Sequence, residues 1–467
     1  MTLGNSANLA SEELWALDKA HVLHPWTNFG PFEDKGSLVI TRGEGCWLWD
    51  SEGEKYFDAV GGLWCTNIGL GRAEMAEAIA DQARRLAFSN TFVDMTNDVS
   101  ALLAGKLAAL APGDLNRVHF TTGGSTAIDS AYRLIQFYQT CMGRPEKTGV
   151  VACENSYHGS TYIAQSIGKR GSDRVPQFRY MEAGIHHLSC PNPYRAPDGM
   201  GEAEFCDWLV AEFRALLDRV GPDRIGGFFA EPIQSSGGVI VPPKDYLRRI
   251  RAICAEHDIL FVADEVVTAF GRIGHWFASE DEFGIVPDII CTAKGLSSGY
   301  IPIGAMIFSD RIWAAMAEDG GRWFTSGFTY SGHPVACAAG LKNIEIIERE
   351  DILGNAKRVG GYFEKRLKTL EALPMVGQVR GRKMMMCVEN VADKATKRVL
   401  PEGLNESKLI SDECEQMGLM VRPLGHLNVM SPPLVMTDDD VDFVVRTLER
   451  AIRRVTDRLV RQGVRFG

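Results

Sequence analysis

The sequence is short of the features that mark membrane, secreted and nucleic-acid-binding proteins. No run of apolar residues approaches the length of about 18 that a membrane-spanning helix needs. The first eight residues, MTLGNSAN, have neither the basic start nor the apolar stretch of a secretion signal. Acidic residues outnumber basic ones by 60 to 50, giving a formal net charge of −10. We therefore expect no membrane segment and no nucleic-acid partner.

Regular cysteine spacing is also missing. The eleven cysteines are scattered singly, and no two of them form a CxxC pair. This excludes the common zinc motifs and a disulfide framework, so we predict no metal site. Irregular thiols in a long acidic chain are typical of a reducing compartment, which favours a cytoplasmic protein.

What the chain does have is an alternating pattern between residues 116 and 308. Short β-rich runs are separated by helical stretches, and the runs are residues 118–120, 150–152, 227–230, 259–263 and 288–291. The alternation predicts an α/β fold with a mostly parallel sheet covered by helices on both faces. Ligands bind to such sheets beyond the carboxyl ends of the strands. Residues 181–202 are rich in proline and are expected to form a loose connection.

The two ends of the chain differ from this middle part. Residues 1–35 are predicted to form an N-terminal arm. After Pro334, long helices and short strands predict a second, smaller α+β domain. The last helix is expected to begin after Thr437, a good N-cap that three aspartates follow, because acidic residues in the first turn suit the helix dipole.

Two of the apolar runs each lead to one charged side chain. Residues 259–263 precede Asp264, and residues 289–291 come shortly before Lys294. A lysine can form a Schiff base with pyridoxal phosphate (PLP), and an acid can pair with the pyridinium nitrogen. Taken singly, a helix-capping aspartate and a solvated loop lysine are the simpler interpretations. Together, at two strand ends, the residues favour a PLP enzyme.

Two further segments follow predicted strands. Gly124 and Ser125 lie in TTGGSTA, where free N–H groups at a helix start and hydroxyl groups could bind a phosphate. A tight turn with a serine cap explains that segment equally well. Tyr157, in the sequence Tyr-His-Gly, could stack on a flat ring or could be an ordinary core tyrosine.

The ordered set of motifs resembles a class III, fold-type I PLP-dependent aminotransferase. The motifs are Gly-Gly-Ser at 123–125, Tyr-His-Gly at 157–159, Asp-Glu-Val at 264–266, Ala-Lys-Gly at 293–295 and Tyr-Ser-Gly-His-Pro at 330–334. The resemblance runs from about His24 to the last helix. It implies a homodimer, or a dimer of dimers, with active sites between subunits. It also implies a large PLP-binding domain at 70–330 and a small domain formed by 1–69 and 331–467.

The resemblance assigns roles to individual residues. Lys294 would bind the cofactor covalently and shuttle a proton, while Asp264 would keep the pyridine nitrogen protonated. Tyr157 and Val266 would enclose the ring. The remaining residues that it places at the cofactor are Gly124, Ser125, His158, Glu231 and Thr329 of the partner subunit.

Within the family, the chain is most similar to the amine:pyruvate (ω-) transaminases. Leu63 and Trp64 match a pocket-wall motif of that subgroup. Arg422 matches a mobile arginine that grips the carboxylate of an oxo acid and swings away for an apolar amine. A surface salt bridge is the alternative role for this arginine. The other residues implied at the substrate are Trp26, Tyr157, Ala230 and Phe92 of the partner subunit.

The resemblance also bears on the substrates. Ser236 stands where relatives that use 2-oxoglutarate carry a second glutamate, which favours pyruvate as the acceptor. The expected donor is a primary amine or ω-amino acid such as β-alanine, taurine, a polyamine or an arylalkylamine. Thr126 and Ile128 depart from the usual phosphate-loop motif, and their roles stay open. The alternatives are another class III PLP enzyme, of the aminomutase or dialkylglycine decarboxylase type, and a cofactor-free binding protein.

Overall fold

The computed structural model describes residues 9–467, so the first eight residues of the predicted arm lie outside the described part. Its strands are β1 (Ile40–Glu44), β2 (Trp47–Asp50), β3 (Lys55–Asp58), β4 (Leu115–Thr121), β5 (Gly149–Cys153), β6 (Ile185–Leu188), β7 (Ile225–Ala230), β8 (Leu260–Asp264), β9 (Ile289–Thr292), β10 (Gly304–Ser309), β11 (Val376–Arg382), β12 (Met385–Asn390), β13 (Leu419–Met420), β14 (Arg422–Leu424) and β15 (Leu427–Met430).

The helices are α1 (Ser11–His21), α2 (Phe29–Lys35), α3 (Gly61–Trp64), α4 (Ala73–Arg85), α5 (Asp98–Leu110), α6 (Gly124–Cys141), α7 (Tyr162–Ile167), α8 (Glu202–Val220), α9 (Tyr246–Glu256), α10 (Ala278–Asp281), α11 (Asp310–Ala317), α12 (Pro334–Arg349), α13 (Ile352–Lys368), α14 (Glu406–Glu415) and α15 (Asp438–Arg461). Within the described residues, no helix is both long and apolar enough to cross a membrane.

The central sheet has seven strands in the order β4-β10-β9-β8-β7-β5-β6. All neighbours are parallel except β10, which runs antiparallel to both β4 and β9. The predicted α/β fold with a mostly parallel sheet is therefore confirmed. The inner strands are buried along their whole length, as their continuous apolar sequences require.

Helices pack against both faces of this sheet because successive side chains of a strand point in opposite directions. Phe228 packs into the cluster that contains buried residues of α8, α9 and α12. Phe229, the next residue of β7, packs into the cluster on the other face with α6, α7 and α11. Burying one such side chain stabilises the fold by about 1.5–3 kcal/mol.

The prediction of a loose connection over residues 181–202 is wrong in part, because this segment contains β6. The strand pairs in parallel with β5 at the edge of the sheet, from Ile185 opposite Val150 to Leu188 opposite Cys153. Only the two end residues of β6 are buried, and two half-buried histidines separate them. An edge strand of this kind has no continuous apolar run that would reveal it in the sequence.

Two four-stranded sheets flank the large one, in the orders β1-β2-β3-β13 and β11-β12-β15-β14. The first joins distant parts of the chain, since Leu419 and Met420 of β13 pair in parallel with Phe57 and Asp58 of β3. The predicted start of the last helix is confirmed. Thr437 caps α15, where its Oγ1 accepts a hydrogen bond from the third residue of the helix.

Candidate active site

Asp264 and Lys294 lie at the same edge of the central sheet. Asp264 ends β8, and Lys294 follows the end of β9 by two residues; the two strands are parallel neighbours, with Asp264 opposite Cys291. Their carboxyl ends therefore deliver both side chains to one place. Lys294 has a positive φ of 43°, a conformation that costs a non-glycine residue about 1–3 kcal/mol and is typical of functional sites.

A buried histidine holds the Asp264 carboxylate. The Nδ1–H of His158 donates to Asp264 Oδ2 at 2.7 Å, and the backbone N–H of Val266 donates to Oδ1 at 3.1 Å. Burial acts to lower the pKa of His158, but the hydrogen bond and the charge of Asp264, with a contribution from Glu231, raise it overall. The Asp264 carboxylate therefore favours the protonated form of His158.

Glu231 follows β7 and fixes the backbone of Tyr157. Its Oε1 accepts from the Tyr157 N–H at 3.0 Å, while Oε2 accepts from the N–H and the hydroxyl of Ser235 at 2.8 and 2.6 Å. Burial raises the pKa of Glu231, and the neighbouring Asp264 adds to the rise. Glu231 thus holds the backbone of Tyr157 in position beside the site.

The Lys294 amine has no hydrogen bond or ion pair with any residue in the range 9–467. Burial lowers the pKa of this amine; Asp264, Cys65 and Glu231 oppose the shift, and Arg422 adds to it. Lowering the pKa increases the fraction of neutral amine near pH 7. The neutral amine is the form that can act as a nucleophile or accept a proton.

Helix α6 begins beside this group with a loop open to a ligand. Its N-cap is Gly123 rather than the serine of the alternative interpretation, and a Cβ added there would meet no atom within 4 Å. The first N–H groups of the helix have no intrahelical acceptor. Ser125 lies in the first turn, where its Oγ accepts from the Ser160 N–H at 3.0 Å and keeps its own proton to donate. These donors suit a phosphate.

Close packing positions the start of α6. A Cβ on Gly124 would lie 2.9 Å from Val266 Cγ1, so only glycine allows this approach. Thr126 closes the loop, because its Oγ1 donates to the Gly123 carbonyl at 2.8 Å and accepts from the Thr122 N–H at 3.2 Å. Ile128 is fully buried. Of the two residues that depart from the family motif, Thr126 therefore stabilises the loop and Ile128 packs in the core.

A cavity of about 530 Å³ opens onto Lys294. Several of the substrate residues predicted from the sequence line it together with the lysine: Trp26, Leu63, Trp64, Tyr157 and Arg422. Trp64 is buried and Leu63 is half exposed. The rings of Trp26 and Tyr157 lie 6.1 Å apart. The lining combines apolar surface with a few charged groups, as substrate pockets commonly do.

Arg422 is the first residue of β14 and faces this cavity. It forms no hydrogen bond or ion pair with the described part of the chain, so the alternative of a surface salt bridge has no partner there. Burial lowers the pKa of its guanidinium, and the nearby Arg170 adds to this; Tyr157 and Asp173 oppose the shift. An arginine in this environment is ready to bind an anion.

Three predicted site residues lie elsewhere. Phe92 lines a separate cleft of about 840 Å³ together with residues 325–327. Thr329 is exposed close to that cleft in the sequence. Ala230 is buried at the end of β7, opposite Ala263 of β8, and does not line the substrate cavity.

Arg170 and Asp173, which no sequence motif indicated, lie next to the predicted residues in the structure. Arg170 lines the cavity, and its Cζ lies 4.9 Å from the centre of the Tyr157 ring. Asp173 binds Arg170 through both oxygens and accepts from Trp26 Nε1 at 3.2 Å. The one signal in the sequence was an Arg-x-x-Asp spacing in a glycine-containing segment, and such pairs are common on protein surfaces.

A sequence model of the family described as aminotransferase class-III matches residues 31–452. The chain belongs to the class III aminotransferases. It is 39% identical over 451 residues to the putrescine–pyruvate aminotransferase of Pseudomonas aeruginosa, an alignment that covers 95% of this chain and 96% of that protein.

Solved structures of transaminases resemble this aminotransferase throughout its length. A thermostable (S)-enantioselective ω-transaminase from Thermomicrobium roseum has a TM-score of 0.93 and 38% identity, covering 96% of this chain and 99% of its own. An amine transaminase from an uncultivated Pseudomonas species, solved in its PLP-bound form, has a TM-score of 0.89 and 38% identity, covering 93% and 99%.

Class III aminotransferases depend on PLP, which is therefore the cofactor of this enzyme. The residues present fit that molecule. The start of α6 offers N–H and hydroxyl donors for a phosphate, and Asp264 offers an oriented carboxylate for a pyridinium nitrogen. The buried Lys294 amine is free for an aldehyde. The His158 Nε2 is also buried and has no partner among the described residues, which places a polar atom beside the site.

Proposed function

We propose that this class III aminotransferase moves an amino group from a primary amine or ω-amino acid to pyruvate, giving alanine. The observation that carries the proposal is Arg422, an arginine that faces the same cavity as Lys294 and has no partner within residues 9–467. Ser236, where 2-oxoglutarate-using relatives carry a glutamate, lines that cavity as well and adds no negative charge. The similarity to a putrescine–pyruvate aminotransferase supports the same reaction.

In this proposal the cofactor residues have distinct tasks. Bound PLP supplies an electron sink for the charge that develops at the substrate Cα. Lys294 Nζ takes the proton from that carbon of the donor as a general base and, in the second half-reaction, gives a proton to the corresponding carbon of the acceptor as a general acid. Asp264 would hold a proton on the pyridine nitrogen, and His158 orients the Asp264 carboxylate through its hydrogen bond. Glu231 fixes the backbone of Tyr157, which stacks on the ring.

The phosphate end and the second ring face complete the cofactor site. Gly124 and Ser125 donate to the phosphate from the first turn of α6, because the helix dipole favours an anion there. Val266 covers the face of the ring opposite Tyr157. The 2.9 Å approach of Val266 to the Cβ position of Gly124 supports this placement.

The substrate side must accept an apolar amine in one half-reaction and a carboxylate in the other. Trp26, Leu63 and Trp64 limit the space for the apolar part. Arg422 grips the carboxylate of pyruvate and turns outward when an apolar amine enters, because a charge left against hydrocarbon without a partner is costly.

A homodimer, alone or paired into a dimer of dimers, would explain why Phe92 and Thr329 lie away from the cavity that opens onto Lys294. Three large aromatic side chains that line the separate cleft of Phe92 are exposed, namely Phe92, Trp313 and Trp323. Such apolar surface is typical of a protein interface. Phe92 and Thr329 then complete the active site of the partner subunit.

The domain division and the location are part of the same proposal. The seven-stranded sheet lies within residues 70–330, which supports a large PLP-binding domain. The sheet that joins β3 to β13 supports a small domain formed by 1–69 and 331–467. Eleven free cysteines are in keeping with a cytoplasmic enzyme. A mutase or decarboxylase reaction is not favoured, because the similar proteins are named as aminotransferases.

A donor screen tests the reaction. The PLP-loaded enzyme is incubated with amines and ω-amino acids, with pyruvate or 2-oxoglutarate as the acceptor, and alanine and glutamate are measured. We expect alanine to form at least about tenfold faster than glutamate, a difference of about 1.4 kcal/mol in activation free energy. Faster formation of glutamate would contradict pyruvate as the acceptor.

A further inference from the structure

A second arginine lines the substrate cavity beside Tyr157. The side chain of Arg170 is only 10% exposed, and its Nε and Nη2 donate to the two oxygens of Asp173 at 2.9 and 2.6 Å. Its Nη1 makes only a long contact of 3.4 Å with the Ser236 carbonyl oxygen. Arg170 is therefore held rigidly, yet it keeps donor capacity on the cavity side.

The ion pair presents its positive end to the cavity. Arg170 is one of the lining residues, whereas Asp173 is not. The Asp173 side chain is only 8% exposed, and its oxygens accept from Arg170 and from Trp26 Nε1. A molecule in the cavity therefore meets the guanidinium first, with the carboxylate behind it.

The other charged residues that line the cavity do not neutralise the positive charge of Arg170. Arg422 adds a second guanidinium, and the two arginines are close enough for Arg170 to lower the pKa of Arg422. Two acidic residues also line the cavity. Both oxygens of Asp58 accept backbone N–H groups, from Val60 and Gly62. Glu415 is an exposed residue, so water screens part of its charge, and partial desolvation raises the pKa of its carboxyl.

We propose that Arg170 is a specificity-determining residue, a fixed cation that favours amine donors with a distal carboxylate or sulfonate over diamines. A distal anion would accept hydrogen bonds from a guanidinium that Asp173 already holds in place, and little side-chain entropy is lost on binding. A distal ammonium would instead meet two arginines. This inference rests on the proposed amine–pyruvate reaction.

The test uses three donors that share an aminopropyl group and differ in the charge at the far end: 4-aminobutyrate, butylamine and putrescine. The ratio of kcat/KM for 4-aminobutyrate to that for putrescine is measured with pyruvate as the acceptor. We expect a ratio above one in the wild-type enzyme and a fall of at least about tenfold in Arg170→Met, which corresponds to about 1.4 kcal/mol. Butylamine reports changes that do not depend on distal charge.

Arg84→Met is the matched control, because it removes the same charge from an exposed position on α4 whose ion pair is with Asp81. It should keep the wild-type ratio. Arg170→Lys keeps the charge and should retain part of the preference. Since Arg170→Met leaves the Asp173 carboxylate buried and unpaired, the double variant Arg170→Met/Asp173→Asn serves if the single variant does not fold.

The outcomes separate this inference from the reaction on which it rests. Transfer to pyruvate with an unchanged ratio in Arg170→Met, or in the double variant, would overturn the role of Arg170 alone. A wild-type preference for putrescine would overturn it too, and would point to Glu415 as the group that binds the distal end. Absence of transfer from every donor would overturn the proposed reaction as well.

Discussion

Replacing Gly159 by alanine should disturb the cofactor site through packing alone. Gly159 has a φ of 134°, which side-chain-bearing residues rarely adopt. A Cβ at this position would lie 2.7 Å from both Cα and Cβ of Ser125 and closer still to its hydroxyl. The nearest atoms include backbone of α6, so the change must push the start of the helix away from residues 159–160.

The structure sets the size of the effect. Overpacking of this kind costs about 1–3 kcal/mol, and the unfavourable φ adds about 1 kcal/mol or more. We expect the apo-enzyme to lose about 2–4 kcal/mol of unfolding free energy, the sum of these two costs. The hydrogen bond from the Ser160 N–H to Ser125 Oγ should also be lost. PLP should then bind at least about tenfold more weakly, because a difference of about 1.4 kcal/mol suffices for that.

Two measurements check this prediction: urea denaturation of the apo-enzyme, and titration with PLP followed by absorbance. Gly361→Ala is the matched control. Gly361 lies inside α13, where the nearest atom to an added Cβ is the flexible end of Lys383 at 3.9 Å. Alanine should stabilise this helix by up to about 1 kcal/mol. A Gly159→Ala variant with wild-type stability and PLP affinity would refute the packing argument.

Three further predictions concern single residues. Lys294→Ala should abolish transfer and covalent labelling by borohydride reduction; labelling that persists in the variant would move the role to another lysine. Arg422→Ala should raise KM for pyruvate about tenfold or more, since a hydrogen-bonded charge contributes about 1.5–3 kcal/mol, and an unchanged KM would contradict its role. Burial lowers the pKa of His187 to about 4. Because the unfolded chain binds this proton from about pH 6.5 downward, stability should fall as pH drops from 6.5 to 4. Over that pH range the His187→Gln variant should lose about 1–2 kcal/mol less unfolding free energy than the wild-type enzyme, after allowance for partial exposure of the histidine. Urea midpoints at several pH values would show this difference.

The sequence predicted those features of the site that depend on local pattern. Asp264 and Lys294 follow buried parallel strands, and such strands are continuous apolar runs that can be recognised directly. The order of the strands could not be deduced from these runs. That β8 and β9 are neighbours, which brings the two side chains together, depends on pairing between distant segments.

Other features leave no local signal. Arg170 and Asp173 have the spacing of an ordinary surface pair, and their burial results from the contact of that turn with Tyr157 and the arm residue Trp26. Similarly, the sequence around Arg422 does not reveal that its guanidinium forms no ion pair with any of residues 9–467. Both properties depend on the tertiary structure, where charge and burial are set by residues far apart in the chain.

The pairing of β3 with β13 has a consequence for how the enzyme matures in the cell. Trp64 comes soon after β3, and Arg422 follows the end of β13 by two residues, so one pair of parallel strands positions residues on two walls of the cavity that opens onto Lys294. The two strands are about 360 residues apart in the order of synthesis. Because chains emerge from the ribosome with the N-terminal part first, the segment with Trp64 must wait until β13 has been synthesised before β3 can pair with it. A ribosome-bound chain that ends before Leu419 should therefore carry the central sheet without the wall of the cavity that contains Arg422.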